Sequence, residues 1–461
     1  MTVRWISTTE HQPWREHEAV AFGQVTRMPA AIINTGELCQ EIEGFGATFN
    51  ELGWDALTAL DADTRRSLLR EMFAPGVGLN LTRCRMPIAA NDFARDWYSY
   101  DETDGDLELR DFSIANDLGT LVPFIRAAQE QQPNLTLWAS PWSPPSWMKV
   151  NGHYAAARPR VDNQVENGLR EDQVGAEGTD MFRLEEPVLA AYARYFGKFI
   201  DAYRELGIDI DMVMPQNEFN SPQPFPSCTW TPEGLAAFIG HLGPEMAARG
   251  VEVFLGTLER GDHELVTRVL ADPEAARFVK GVGAQWAGKG AVPFINRLLP
   301  SLRIYQTEQE CGDGRNDWRF ARYAFRLMVH FLSHGASAYT YWNIALKPGG
   351  VSRWGWAQNS LICVDPTNGA LTYNHEFYVL KQVSHFVRPG ARLAPALSYT
   401  GHEDVLAFRN PDGEVIVVML NDVDTPQEVS LMVDGRAFTA PLPADSINTF
   451  IIPAAKVGTD A

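Results

Sequence analysis

Between about residues 44 and 386, short apolar runs alternate with longer segments in which apolar residues recur at three and four residue spacing. Runs of the first kind read as buried strands and segments of the second as helices packed on them, which predicts a parallel β/α architecture. Eight apolar runs can be marked, at 43–49, 79–88, 135–142, 210–218, 251–258, 279–287, 303–310 and 337–346. Eight such strands predict a closed (β/α)8 TIM barrel spanning residues 43–387. In one of the intervening helices Leu189, Tyr192, Phe196, Phe199 and Tyr203 share a face, and Gly207 follows as a C-terminal cap. Thr231 before Pro232 predicts another helix start, an N-cap followed by a first-turn proline.

Past "HFVRPGARLA" the period changes to that of strands joined by tight turns: "VLAFRN", the turn "PDGE", "VIVVML", "VSLMV" and "INTFII". Residues 388–461 therefore predict a small antiparallel β-sandwich. It has too few strands to close two sheets, so residues 1–42 are expected to supply the others, building the second domain from both chain ends. The polar stretch 150–180 follows the third barrel strand. A loop of that length predicts a lid or mobile insertion at the catalytic face.

Composition narrows the function. The chain has 461 residues, 45% hydrophobic and 21% charged, enough to bury a large core. Its net charge is −19 and no Lys/Arg-rich run occurs, which argues against a nucleic-acid or anionic-membrane partner. The partner expected is a small neutral or cationic molecule. Five scattered cysteines suggest neither a disulfide framework nor a Cys-x-x-Cys zinc site. His330 and His334 stand four apart, but without a third ligand in view they read as structural, so no metal and no cofactor is expected. No apolar signal core opens the chain and no run of roughly 20 apolar residues occurs, so a cytoplasmic protein without a membrane span is expected. Oligomeric state is not legible.

The candidate chemistry lies where the strands end, because barrel strands deliver their last residues to the catalytic face. The fourth run ends "MVMPQNEFN", which sets Asn217 and Glu218 there, and the seventh ends "YQTEQECGDG", which sets Glu308 at its tip. Two carboxyl groups across a cleft suit glycosidic cleavage: one protonates the leaving oxygen while the other attacks the anomeric carbon or activates water. Flat apolar platforms suit the faces of a sugar, and Trp142, Trp147, Trp286, Trp342, Trp354 and Trp356 fall at or just after strand ends. Some of these read as platforms and others as packing. Asn91 and Asp92 follow the second strand.

Seven stretches in order, "GFGATFNE", "RCRMPIAANDF" with "YSY" after it, "DLELRDFSI", "ASPWSPPSWMK", "QNE", "QTEQECGDG" and "YWNIAL", resemble glycoside hydrolase family 30, which includes the glucosylceramidases. The resemblance runs from about Gly44 to the C-terminus. It implies a (β/α)8 barrel with a β-sandwich from both termini, and a retaining β-glycosidase acting on a small β-glycoside or oligosaccharide. Carried over by residue, it implies Glu218 as acid/base, Glu308 as nucleophile and Asn217 beside the sugar 2-hydroxyl. It further implies Asp92 and Trp142 at the 3- and 4-hydroxyls, Trp342 as a pocket wall and Arg85 beneath the carboxylates.

This sequence departs from the family pattern in three places. Ala287 stands where a tyrosine supporting the nucleophile is expected, leaving Gln285 or Trp286 to replace it. Glu310 lies two residues beyond Glu308, on the same side of an ideal strand, and competes for the nucleophile's role. Phe219 replaces the usual proline after the acid. Within the family an exo-acting β-glucosidase, glucosylceramidase-like, is the reading preferred, with a β-1,6-glucanase, a β-xylosidase or a β-fucosidase as alternatives. A sugar-binding barrel without catalysis is the alternative outside enzymes.

Overall fold

The computed structural model describes residues 2–25, 27–161 and 164–454. Its centre is a closed barrel of eight parallel strands. In chain order they are Gly44–Thr48, Arg83–Ile88, Thr136–Pro141, Met212–Val213, Glu252–Leu258, Val279–Ala284, Arg303–Gln306 and Ala336–Asn343. Each pairs with the next and the eighth closes on the first, with Ala338 opposite Gly44 and Tyr341 opposite Ala47. All eight expected runs are present. Each strand is shorter than its apolar stretch, the fourth and seventh by half or more: the fourth keeps only Met212 and Val213, and the seventh stops at Gln306.

Side chains alternate along each strand, so one register decides what fills the barrel. Trp138, Met212, Met214, Phe254, Tyr305 and Ala338 form a buried apolar cluster of their own inside it. This layer separates the two ends of the barrel. On the outside, the helix Glu186–Glu205 buries the expected face, including Leu189, Tyr192, Phe196, Phe199 and Tyr203. Gly207 takes φ +75° just beyond it, a conformation that glycine reaches without steric cost. The helix Pro232–Ala247 is capped by Thr231, whose side chain accepts from the Gly234 N–H.

The second domain has two sheets. The larger contains Thr2–Thr9, Arg15–Glu16, Val20–Ala21 and Glu41–Ile42 beside Ala391–Ala394, Val405–Arg409, Val415–Asn421 and Ser446–Ile452. In the smaller, Ala31–Ile33 lies between Ala396–Leu397 and Gln427–Val433, and Arg436–Leu442 forms the edge. The N-terminal segment thus donates strands to both sheets, as the strand deficit required. Arg436–Leu442 has no clear strand pattern, because Pro441 breaks it; proline is tolerated there because it lies in the edge strand, past the isolated bridge, Gly23 to Ala437, on the strand's outer side. Ala345–Leu346, Ile362–Asp365 and Ala370–Tyr373 form a further three-stranded sheet that the strand pattern of the sequence does not set apart.

Candidate active site

Arg85 organises the upper end of the barrel. It sits on the second strand, fully buried, where burial lowers its pKa and nearby carboxylates oppose that effect. Nη1 donates to Glu308 Oε2 at 2.8 Å, while Nη2 donates to Ser140 Oγ at 2.8 Å and Asn217 Oδ1 at 2.7 Å. Its guanidinium also lies 4.9 Å from the centroid of Trp138, 4.4 Å from that of Trp142 and 5.5 Å from that of Trp342, within cation–π reach. These hydrogen bonds and ring contacts together hold the cation in place.

Glu308 lies just past the seventh strand and accepts on both oxygens. Trp286 Nε1 donates to Oε1 at 2.9 Å; Arg85 and Gln285 Nε2, the latter at 3.1 Å, donate to Oε2. Arginine and indole can only donate, so this environment favours the ionised carboxylate. Burial nonetheless raises the Glu308 pKa above its usual value, opposed by Arg85, Trp286 and Gln285 in that order. Gln285 and Trp286 thus occupy the supporting place that Ala287 cannot fill.

Glu218 is held differently. The chain leaves the fourth strand at Val213, and Glu218 takes φ +47°, a backbone that side chains beyond glycine rarely adopt. Its conformation is fixed by neighbours: the Glu218 N–H donates to Thr257 Oγ1 at 2.9 Å, and the Asn217 N–H to the Pro141 carbonyl at 2.7 Å. Its carboxyl accepts only from amides, Gln285 Nε2 on Oε1 and Gln223 Nε2 on Oε2, both at 3.2 Å. Burial first, and then the Glu308 charge, push its pKa up to about 7. One nitrogen, Gln285 Nε2, therefore lies within hydrogen-bond range of both carboxyls and of Asn217 Oδ1 at 3.2 Å. It carries two protons and can serve only two of the three at once.

Asp92 completes an acidic group. It is buried, its Oδ1 has no hydrogen-bond partner, and burial followed by the charges of Glu308 and Glu218 raises its pKa well above the usual value. Asp92, Trp142, Asn217, Glu218, Trp286 and Glu308 line one cavity of about 270 Å³. Arg85 lies beneath it. Trp342 does not line the cavity; it stacks behind Trp142 with ring centroids 5.3 Å apart. Of the other tryptophans, Trp356 reaches the cavity, whereas Trp147 donates to the Asp101 carbonyl and Trp354 to the Tyr154 hydroxyl. Asn91 serves its own turn, accepting from the Phe93 N–H at 2.9 Å.

Glu310 is not in the cavity. The strand period that would have set it beside Glu308 ends at Gln306, and Glu310 turns to Lys289 Nζ at 2.5 Å and the Tyr323 hydroxyl at 2.8 Å. His330 and His334 are also bound internally, to the Lys289 and His330 carbonyls. Among the described residues no group of three or more His, Cys, Asp or Glu could hold a metal ion. No described helix is long and apolar enough to cross a membrane.

The outer rim holds residues that strand patterns do not single out: Arg160, Ser221, Gln223, Phe225, Glu259 and Arg260. The 150–180 loop does lie at this face, since Arg160 belongs to it. Outside Asp162 and Asn163, which are not among the described residues, it is tied down rather than free. Buried Lys149 donates to the Tyr154 and Ser227 carbonyls, and Asn167 Nδ2 to those of Ala157 and Pro224. The Ala156 N–H donates to the Gln223 carbonyl.

Comparison with known proteins agrees with this architecture. Residues 42–387 match the model of the glycosyl hydrolase family 30 TIM-barrel domain, and residues 397–450 that of the family 30 β-sandwich domain. The chain is 30% identical over 423 residues to the lysosomal acid glucosylceramidase of Mus musculus, covering 85% of this chain and 77% of that protein. It is 27% identical to an endo-1,6-beta-D-glucanase of Aspergillus fumigatus, over 90% of this chain and 86% of that one. The crystal structure of SrfJ from Salmonella typhimurium superposes with a TM-score of 0.86 at 24% identity, covering 99% of this chain and 100% of that one, a likeness of fold. Barrel, sandwich and paired acids have one common explanation: the chain belongs to glycosyl hydrolase family 30 and is a glycoside hydrolase.

Proposed function

We propose that the chain is a retaining, exo-acting β-glucosidase in which Glu308 is the nucleophile and Glu218 the acid/base. The observation that carries this reading is the contrast between two carboxyls that share Gln285. Glu308 is paired with a buried arginine and an indole N–H, donors that favour its anion; Glu218 has only amide donors and a pKa pushed up to about 7. An ionised group is suited to attack and a protonated one to release the leaving group. One oxygen of each lies 3.1 or 3.2 Å from the same nitrogen, so those oxygens are separated by less than the sum of these distances. Carboxyls that share one donor suit the close spacing, about 5–5.5 Å, at which the second acid acts as nucleophile.

In this reading Glu308 attacks the anomeric carbon as Glu218 passes its proton to the leaving oxygen. Water then displaces the sugar while Glu218 takes a proton back. Arg85 can only donate, so the Asn217 oxygen must face it, leaving the Asn217 amide N–H groups for the sugar 2-hydroxyl. Asp92, with one oxygen unpartnered, and Trp142 suit the 3- and 4-hydroxyls and a sugar face at the buried end. One terminal sugar fits that end, and the leaving group meets the open rim.

A second reading, a β-1,6-glucanase, is favoured by the polar rim. Arg160, Glu259 and Arg260 suit a sugar leaving group better than a lipid. Incubation with a 2-fluoro glucosyl fluoride followed by peptide mapping tests the central assignment. A label on Glu308 is expected; a label on Glu310, or inversion seen by NMR of the product anomer, would overturn it. Release of glucose from chain ends, rather than internal products from β-1,6-glucan, separates the two substrate readings.

A further inference from the structure

Gln223 stands where the loop after the fourth strand, the 150–180 loop and the acid carboxyl converge. Its Nε2 donates to Glu218 Oε2 at 3.2 Å and to Ser221 Oγ at 2.8 Å. Arg160 Nη2 donates to its Oε1 at 2.7 Å. Its backbone is fixed as well: the carbonyl accepts from the N–H groups of Ala156 and Ala157, and its N–H donates to Ser227 Oγ at 3.0 Å. A side-chain amide can ordinarily rotate to offer either its oxygen or its nitrogen. Here it cannot do so freely, because a guanidinium has no acceptor and the oxygen must face Arg160. The nitrogen is thereby committed to Glu218.

We propose that Gln223 is a positioning residue for the proton donor, and that Arg160 sets its amide so that an N–H, never the oxygen, meets Glu218. The proposal rests on the assignment of Glu218 as acid/base. Its chemical consequence follows from the direction of that bond. A donor facing a carboxylate stabilises the charged form, whereas an amide free to flip would present its oxygen to the protonated acid and stabilise that form instead. Gln223 therefore opposes the upward push of burial and of Glu308, keeping the acid ready to lose its proton to a leaving group. It also fixes the carboxyl from the rim side while Gln285 fixes it from the nucleophile side.

The charged groups around Glu218 are Glu308, Asp92 and Arg85 at the ends of the seventh and second strands, Glu259 and Arg260 on the cavity wall after the fifth, and Arg160 of the 150–180 loop at the rim. All keep their charge when Gln223 is changed to leucine. That makes pH dependence a specific readout. With Gln223→Leu the basic limb of kcat/KM should move up by about half to one pH unit. Turnover of an alkyl β-glucoside should fall about tenfold, since a poorly held acid contributes less, while a dinitrophenyl β-glucoside should change by about twofold or less. Arg160→Ala should shift the limb in the same direction and Arg160→Lys, which again offers only donors, should restore it. Arg160→Ala in the Gln223→Leu background should add nothing.

The control is Glu218→Ala. If that variant keeps a basic limb on the aryl substrate, the acid/base assignment and this proposal fall together. If Glu218→Ala abolishes the limb but Gln223→Leu leaves it in place, or slows good and poor leaving groups equally, only the positioning role is overturned.

Discussion

Arg83 and Arg85 stand two residues apart on one strand, both directed into the barrel, and they serve opposite ends of it. Arg83 Nη1 meets both oxygens of Asp211, at 2.6 and 2.5 Å, and Arg303 nearby bridges Glu43 and Glu252. Tyr305 adds a hydroxyl to Glu43. Every acid there has a cation, and the Asp211 side chain is still 50% exposed, so water shares the work. At the other end one buried arginine faces three buried carboxyls, Glu308, Glu218 and Asp92, all raised first by burial. A shift of two residues thus separates a charge-balanced, partly wet floor from a closed site with too few cations. Burial first, and then the unbalanced charge of Glu308, let Glu218 hold a proton near neutral pH.

The largest effect should come from the acid that the arginine serves. Glu308→Gln would remove the oxygen proposed to attack while keeping the shape, and we expect kcat to fall by roughly 10⁴-fold or more on every substrate. Comparable loss on good and poor leaving groups is the signature. Full activity in this variant would return the nucleophile's role to another group.

Next is Glu218→Ala. General acid catalysis contributes about 10²–10⁴-fold, so alkyl glucosides should suffer that loss, while activated aryl glucosides, whose leaving groups need little protonation, should be largely spared. Azide should restore part of the aryl activity. In the intact enzyme kcat/KM should be bell-shaped, falling at low pH as Glu308 gains a proton and at high pH, near 7, as Glu218 loses one. The basic limb should vanish in Glu218→Ala and the acidic limb stay. Equal losses on both kinds of leaving group would break the division of labour between the two carboxyls.

The barrel and its paired acids could be read from the sequence, whereas the charge balance of the Arg83 end could not. Buried strands and helices have different periods, which is why the barrel was legible, and strand ends point to the face where Glu218 and Glu308 lie. What could not be read is the path of the chain after its last paired residue. Glu218 takes its left-handed backbone from contacts with Thr257 and Pro141, residues remote in sequence. Glu310 leaves the expected face because the seventh strand stops at Gln306 and Lys289 offers it a partner. Gln223 and Arg160 reach the cavity from loops, where no period exists. The strand Arg436–Leu442 was hidden by Pro441, whose cost depends on being at an edge, a property of the sheet and not of the segment.

Stability should also differ between the ends. Arg85→Met would leave Glu308 buried without its cation, a loss of about 3–5 kcal/mol where the carboxylate must stay charged. Glu308 can escape that cost by keeping a proton. Its folded pKa would rise further while the unfolded value stays near 4.3, so the penalty should be small at low pH. It should grow as pH climbs from the folded value of the unaltered protein toward the higher one of the variant, and level off above that. Denaturant unfolding should therefore show a larger deficit against the unaltered protein at pH 8 than at pH 5. A deficit independent of pH would mean that Arg85 matters through packing against Trp138, Trp142 and Trp342 rather than through charge.

Asp92→Ala probes the buried end of the cavity more gently. A hydrogen bond to a charged or buried group is worth roughly 1–3 kcal/mol, so kcat/KM for a glucoside should fall about 10- to 100-fold. A 4-deoxy glucoside, which has no hydroxyl to lose there, should be affected less. If both substrates suffer alike, Asp92 acts on the neighbouring carboxyls and not on the sugar.

The smallest effect should follow from Arg83→Met, the same kind of change at the other end of the same strand. Asp211 would lose its cation, but half of its side chain already meets water, so its charge stays solvated and the discount for an exposed pair applies. The aliphatic part of the arginine over the Tyr305 ring is largely replaced by the methionine, which keeps the floor packed. A stability loss of about 1 kcal/mol or less is expected, shrinking in high salt because the surviving charges at the floor are screened. The apolar layer of Trp138, Met212, Met214, Phe254 and Tyr305 stands between this end and the carboxyls, so kcat/KM and both limbs of the pH profile should stay within about twofold and a few tenths of a unit. A tenfold loss of activity in Arg83→Met, with the fold intact, would show that the ends are coupled through the second strand and that the floor helps to aim Arg85.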